Sequence, residues 1–144
     1  MSAMLSNLLT YPFEHEILPW PQAGQRTLIY NAQYWDGVSD LSEFDIVQDF
    51  YADAFKWNAY SVESTPEIKS RCVYDVALCA LPKQKEAGFY QLAMSLSALN
   101  ENGLLVAVAA NDAGGKRLEK WFKDFGLNPS SASKSKCRIV WAYK

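Results

Sequence analysis

Two stretches constrain this chain more than any others: "CVYDVALCAL" at 72–81 and "GLLVAVAA" at 103–110, both almost continuously apolar. Strands covered on both faces read this way, whereas strands with one wet face alternate. Each run precedes an amphipathic pattern. After Pro82, the residues Phe89, Leu92, Ala93, Leu96 and Leu99 recur at helical spacing, and after "NDAGG" so do Leu118, Trp121, Phe122 and Phe125. Gly126 stands where such a helix ends on a C′ glycine. Buried strands alternating with amphipathic helices imply an α/β fold with a mostly parallel sheet and right-handed crossovers.

The remaining segments fit around that centre. "MSAMLSNLLTYPFEHE" predicts a short amphipathic helix ending near Tyr11 and Pro12, and Pro19, Pro21 and Gly24 make an irregular lead-in up to residue 25. "RTLIYNA" (26–32) is the first strand. "LSEFDIVQDFYADAF" (41–55) carries Leu41, Phe44, Val47, Phe50 or Tyr51, Ala54 and Phe55 at helical spacing, with Asp40 or Ser42 as its cap. "WNAYSV" (57–62) reads as a short strand and "STPE" (64–67) as a turn or single helical turn. "KCRIVWAYK" (136–144) is a last, antiparallel strand at the sheet edge. With 144 residues and no linker or repeat, residues 1–144 read as one domain large enough for its own core.

Hydrophobic residues make up 49% and charged residues 21%, which excludes a disordered chain. No apolar run approaches the roughly 18 residues of a membrane span, so no membrane partner is expected. The N-terminus lacks the basic start of a secretory leader. Cys72, Cys79 and Cys137 are an odd number without C-x-x-C spacing, as packed thiols in a reducing cytoplasm would be. His15, the single histidine, lies between Glu14 and Glu16 and reads as a surface residue. No metal site is expected, since zinc wants several nitrogen or sulfur ligands at suitable spacing.

Cofactor and catalytic motifs are equally sparse. A dinucleotide-type fold places a glycine-rich turn after its first strand so that backbone can approach the ligand. Here that turn is "NAQYWDGVSD", with one glycine, Gly37, and with Tyr34 and Trp35 where small residues belong. "NDAGGKR" (111–117) resembles a phosphate cradle but lacks P-loop spacing and its Ser/Thr, and reads as an N-capping turn. No "G-x-S-x-G" occurs. Charge is more informative: residues 1–72 hold four Lys/Arg against ten acids, and residues 73–144 hold ten against six. A basic half of this kind suits an anionic polymer, and equally the ordinary scatter of solvated faces.

Together "YDVALCALPKQKE", "ENGLLVAVAANDAGGKRLEKWF" and "SKSKCRIVW" resemble the N-terminal half of the small-subunit ribosomal RNA guanine-N2 methyltransferases, the methyltransferase-small family. The likeness covers roughly residues 26–144. It rests on Pro82-Lys83 after a buried strand, an Asn-x-x-Gly stretch after the next, and the basic entry to the last. It implies a three-layer αβα Rossmann-like fold of the class I methyltransferase type. It also implies that S-adenosylmethionine and the Asn-Pro-Pro motif belong to a C-terminal catalytic half, beginning about where this chain ends. The N-terminal half would be a degenerate copy that helps recognise ribosomal RNA.

Under that resemblance Leu81-Pro82-Lys83 occupies the place of the Asn-Pro-Pro loop, with leucine replacing the amide. The expected RNA contacts are Lys83, Lys85, Lys116, Arg117, Lys134, Lys136 and Arg138, with Lys120 and Lys123 on the same polar helix face as Lys116. No catalytic, cofactor or metal residue is expected in this chain. Two other readings stay open: an active S-adenosylmethionine-dependent methyltransferase with an atypical pocket, and a protein-interaction module using aromatic surface.

Overall fold

The computed structural model describes residues 3–41, 43–48, 57, 64–65, 68 and 73–144. In chain order these form α1 (Ala3–Asn7), a 3-10 turn (Leu8–Thr10), α2 (Tyr11–Glu14), β1 (Thr27–Tyr30), a 3-10 turn (Asp36–Asp40), β2 (Phe44–Val47) and β3 (Ser64–Thr65). There follow β4 (Tyr74–Ala80), α3 (Lys85–Ala98), β5 (Leu99–Ala110), a 3-10 turn (Asn111–Ala113), α4 (Gly115–Asp124), β6 (Ser130–Lys134) and β7 (Cys137–Tyr143).

The two apolar runs became β4 and β5, adjacent and parallel at the centre of a seven-stranded sheet ordered β3-β2-β1-β4-β5-β7-β6. β1 pairs in parallel with both β2 and β4. β7 runs antiparallel to β5 and to β6. Alternate side chains of each central strand enter opposite cores, which makes the fold a three-layer αβα sandwich. One core joins Ile29, Leu78, Val106 and Ile139 to Leu9, Phe13, Trp35 and Trp57. The other joins Leu28, Ala77, Leu105 and Val140 to Leu92, Leu118 and Phe122 of α3 and α4.

Helix α4 is as predicted, with Leu118 and Phe122 fully buried. It ends in a Schellman motif, where Gly126 has φ +82° and donates to the Lys123 carbonyl while Leu127 donates to that of Phe122. The N-terminal helix continues through Pro12, which occupies the first turn of α2, where a missing N–H needs no partner.

Five expectations are corrected. The helix foreseen over 41–55 is a strand at Phe44–Val47: its apolar spacing satisfies period 2 as well, and pairing with β1 decided between them. Residues 49–56 lie outside the described residues. Trp57 is helical and fully buried rather than opening a strand, and Ser64–Thr65 is not a turn but a two-residue strand beside β2. The stripe on α3 is displaced: Gly88, Gln91, Leu92, Ser95 and Ala98 are buried, while Phe89 is 40% exposed. Finally, β7 is interior, because the polar "SSASK" of β6 forms the edge. Nothing in that stretch carries an apolar period.

Candidate nucleic-acid interface

Parallel strands end at a common edge, and in this topology that edge collects the basic residues. Lys83 and Lys85 follow β4 and open α3, while Lys116 and Arg117 open α4 after β5. Because β6 runs parallel to β5 and β7 runs back, Lys134, Lys136 and Arg138 surround a hairpin turn at the same edge. The Asn111 N–H donates to the Lys136 carbonyl at 2.9 Å, tying the end of β5 to that turn. All seven predicted residues therefore lie along the β4-β5-β7-β6 half of the carboxyl edge. The β1 side of the edge carries Asp36 and Asp40, both exposed.

The seven are not equivalent. Lys83, Lys85, Lys116 and Lys136 are exposed and make no ion pair among the described residues. Lys134 stands 5.9 Å from the Tyr11 ring centroid, and the Arg117 guanidinium 5.5 Å from that of Trp121. Arg138 is half-buried and engaged by Glu119. Of the extra helix lysines, Lys120 is paired with Asp124 at 3.1 Å. Lys123 lies about 10 Å along the helix axis from Lys116, toward the opposite edge. The acids nearest the basic edge are Glu86, Asp112 and Glu119.

The Gly114-Gly115 pair has a packing role. Gly114 takes φ +103°, and a Cβ on Gly115 would stand 3.0 Å from the carbonyl oxygens of Ala109 and Ala110. Glycine lets α4 start directly against the end of β5. The expected side-chain cap is not formed.

The strand order reverses between β1 and β4, and the crevice beyond such a reversal is where open α/β sheets take ligands. Here Gln91 reaches into it from α3. Its Nε2 donates to the Ala80 carbonyl at 3.0 Å and to that of Tyr30 at 3.4 Å, and its Oε1 accepts from Asn31 Nδ2 at 2.8 Å. Both amides are buried, so the last carbonyls of the two central strands are bridged by side chains. Neither residue stands out in the sequence, since each lies beside a hydrophobic pattern rather than in one.

Beyond β1, Trp35 is 4% exposed and its Nε1 donates to Thr10 Oγ1 at 3.2 Å. The Trp57 ring meets Tyr34 edge-on at 5.4 Å and Trp35 at 6.3 Å, and its Nε1 donates to the Ala32 carbonyl at 2.8 Å. Gly37 is glycine because a Cβ there would come within 2.7 Å of Trp35 Nε1 and 2.8 Å of Thr10 Oγ1. Leu81, in the position of the resemblance's asparagine, is 3% exposed and belongs to the core, with Pro82 and Lys83 emerging after it.

The thiols are structural in setting. Cys79 is buried, donates to Ser95 Oγ at 2.9 Å and has its pKa pushed up to about 12 by burial. Burial also raises the Cys137 thiol, aided by Asp112. Cys72 lies outside the described residues. His15 is exposed against the Tyr11 ring, and the described residues contain no metal-holding cluster. Among them, no helix is long and apolar enough to cross a membrane.

Residues 31–143 match the family described as methyltransferase small domain N-terminal. The chain belongs to this family. A methyltransferase-small N-terminal region thus accounts for nearly the whole sheet. Ribosomal RNA small subunit methyltransferase C of Aliivibrio fischeri is 37% identical over 67 residues, which are 46% of this chain and 20% of that protein. The counterpart from Vibrio parahaemolyticus is 36% identical over the same length. Among solved structures, a T. thermophilus 16S rRNA N2 methyltransferase in complex with AdoMet and guanosine matches with a TM-score of 0.73 at 16% identity, covering 98% of this chain and 38% of that one. A Burkholderia thailandensis 1,6-didemethyltoxoflavin-N1-methyltransferase matches at 0.72 and 12% identity. The three-layer fold is therefore that of class I S-adenosylmethionine methyltransferases. The methyltransferase-small chain spans well under two thirds of its ribosomal RNA methyltransferase relatives.

Proposed function

We propose that this domain is a degenerate methyltransferase-like module that binds ribosomal RNA through its basic carboxyl edge and supports a separate catalytic half. One observation carries the reading. Three stretches, separate in sequence, deliver seven Lys/Arg side chains to the half-edge of the sheet where the fold presents ligand-facing groups. Phosphate contacts from such residues fix register and orientation without reading sequence, which suits an auxiliary domain.

The reading includes no S-adenosylmethionine in this domain. Rings of Tyr34 and Trp35, backed by that of Trp57, stand where a cofactor domain keeps glycine, and Gln91 bridges the crevice between β1 and β4. These residues do not fit a nucleoside, and the cofactor is assigned to the catalytic half. The alternative is a cofactor-binding domain with an atypical pocket. It is favoured by the reversal of strand order between β1 and β4, where open α/β sheets take ligands.

Titration of fluorescent ribosomal RNA fragments at several salt concentrations tests the first claim. The wild-type domain is expected to show log affinity falling linearly with log salt. Lys83→Glu combined with Lys136→Glu is expected to weaken binding at least tenfold and flatten the slope. Wild-type affinity in that double variant would remove the assigned surface. Calorimetry with S-adenosylmethionine separates the two readings, a saturable heat favouring the alternative.

A further inference from the structure

Phe89 and Tyr90 lie side by side near the start of α3, 40% and 60% exposed. Phe89 stacks on Phe125 at 5.1 Å and meets Trp121 edge-on at 5.6 Å, so its orientation is fixed rather than free. Between α3 and α4 these rings border a shallow groove of about 360 Å³, lined by Lys85, Glu86, Phe89, Tyr90, Ala93 and Trp121. Gly88 of α3 faces the Trp121 ring, where a Cβ would stand at 3.5 Å, an ordinary contact. Arg117 lies over that ring with a buried Nε that has no hydrogen-bond partner among the described residues.

The groove begins in the first turn of α3, at Lys85, and meets α4 at Trp121, whose ring Arg117 covers from the first turn of that helix, so it adjoins the basic edge. Fixed aromatic faces beside unpaired cations are complementary to one chemistry in particular: a flat base joined to a phosphate. An acidic or purely aliphatic partner would leave one half of that set unused. We propose that the groove between α3 and α4 is a stacking platform for an unpaired nucleobase of RNA, with Tyr90 and Phe89 as its faces and Lys85 and Arg117 meeting the flanking phosphates. Glu86 is placed to accept from a ring N–H or an exocyclic amine of the base. The inference rests on the RNA-binding reading above and adds to it a preference for single-stranded segments.

The test compares a labelled oligouridylate with an abasic ribose-phosphate strand of equal length, using wild type, Tyr90→Ala and Tyr90→Phe. Tyr90 is exposed, so neither substitution threatens the core. Wild type should bind oligouridylate more tightly than the abasic strand. Tyr90→Ala should weaken oligouridylate about five- to 150-fold, the range for losing one stacked base, without changing abasic binding. Tyr90→Phe should retain wild-type affinity. Equal wild-type binding of both strands, or an unaffected Tyr90→Ala, overturns the platform. The RNA reading survives either result if Lys83→Glu with Lys136→Glu still weakens both strands. Failure of wild type to bind any RNA overturns both. Loss of self-association in Tyr90→Ala, with RNA binding unchanged, would make the groove a contact between copies and likewise overturn the platform.

Discussion

Gln91 is the residue on which the centre of the sheet turns. It satisfies two main-chain carbonyls and an asparagine amide in a buried site, where each unmet polar group costs on the order of 1–3 kcal/mol. Gln91→Leu keeps approximate volume but removes those bonds. Chemical denaturation should therefore show a loss of about 1–3 kcal/mol. Cys79 gives a second prediction at this scale. Its folded pKa is raised from 9.0 to about 12, so the fold holds the proton that the unfolded chain releases. That stability is fully present below about pH 9 and is lost progressively as pH rises toward 12. Tyr74 acts in the same direction, raised from 10.0 to about 12 by burial and by its bond to Asp45. Alkaline denaturation should begin near pH 9 in wild type and be shallower in Cys79→Ala, as followed by tryptophan fluorescence.

Two elements carry residues that work against their own local structure. Gly88 lies inside α3, where glycine costs roughly 0.5–1 kcal/mol relative to alanine. A Cβ there would meet the Trp121 ring at ordinary contact distance, so Gly88→Ala should stabilise the domain by about that amount in a thermal melt. The turn between β6 and β7 is formed by Ser135 and Lys136, at φ +53° and +61°. Hairpin turns of this geometry prefer Asn-Gly, so a lysine there is strained. Lys136→Gly should raise stability by about 0.5–1 kcal/mol while weakening RNA binding, separating folding from function in a single variant. This hairpin also shows where sequence reading ran out. The strand β6 is polar and exposed on every described position except Ala132, so its only determinant is the hydrogen-bond ladder offered by β7. Likewise Phe44–Val47 fits two periods, and only the neighbouring edge of β1 selects one.

Across the whole molecule, charge and bulk are distributed by topology. The acid-rich half of the chain builds β1 to β3, and the base-rich half builds the β4-to-β6 side. A chirally wound parallel sheet thus turns an asymmetry along the sequence into one across a surface. The layer opposite α3 and α4 depends on Trp57, fully buried against Tyr34 and Trp35 and bonded to the Ala32 carbonyl. Trp57→Ala should cost about 3–5 kcal/mol, measured by urea denaturation. The same variant tests whether the rings exclude a nucleoside, since calorimetry can detect any S-adenosylmethionine binding that it gains.

Apolar continuity in 74–80 and 103–110 already required strands buried on both faces, and with the helical periods between them it required a parallel sheet. That much is local, because period and burial are written into consecutive residues. The edge that gathers Lys83, Lys116 and Lys136, the glutamine bridge at the sheet centre and the aromatic groove are not local. They join residues far apart in the chain, and only strand order and chain direction decide that those residues meet.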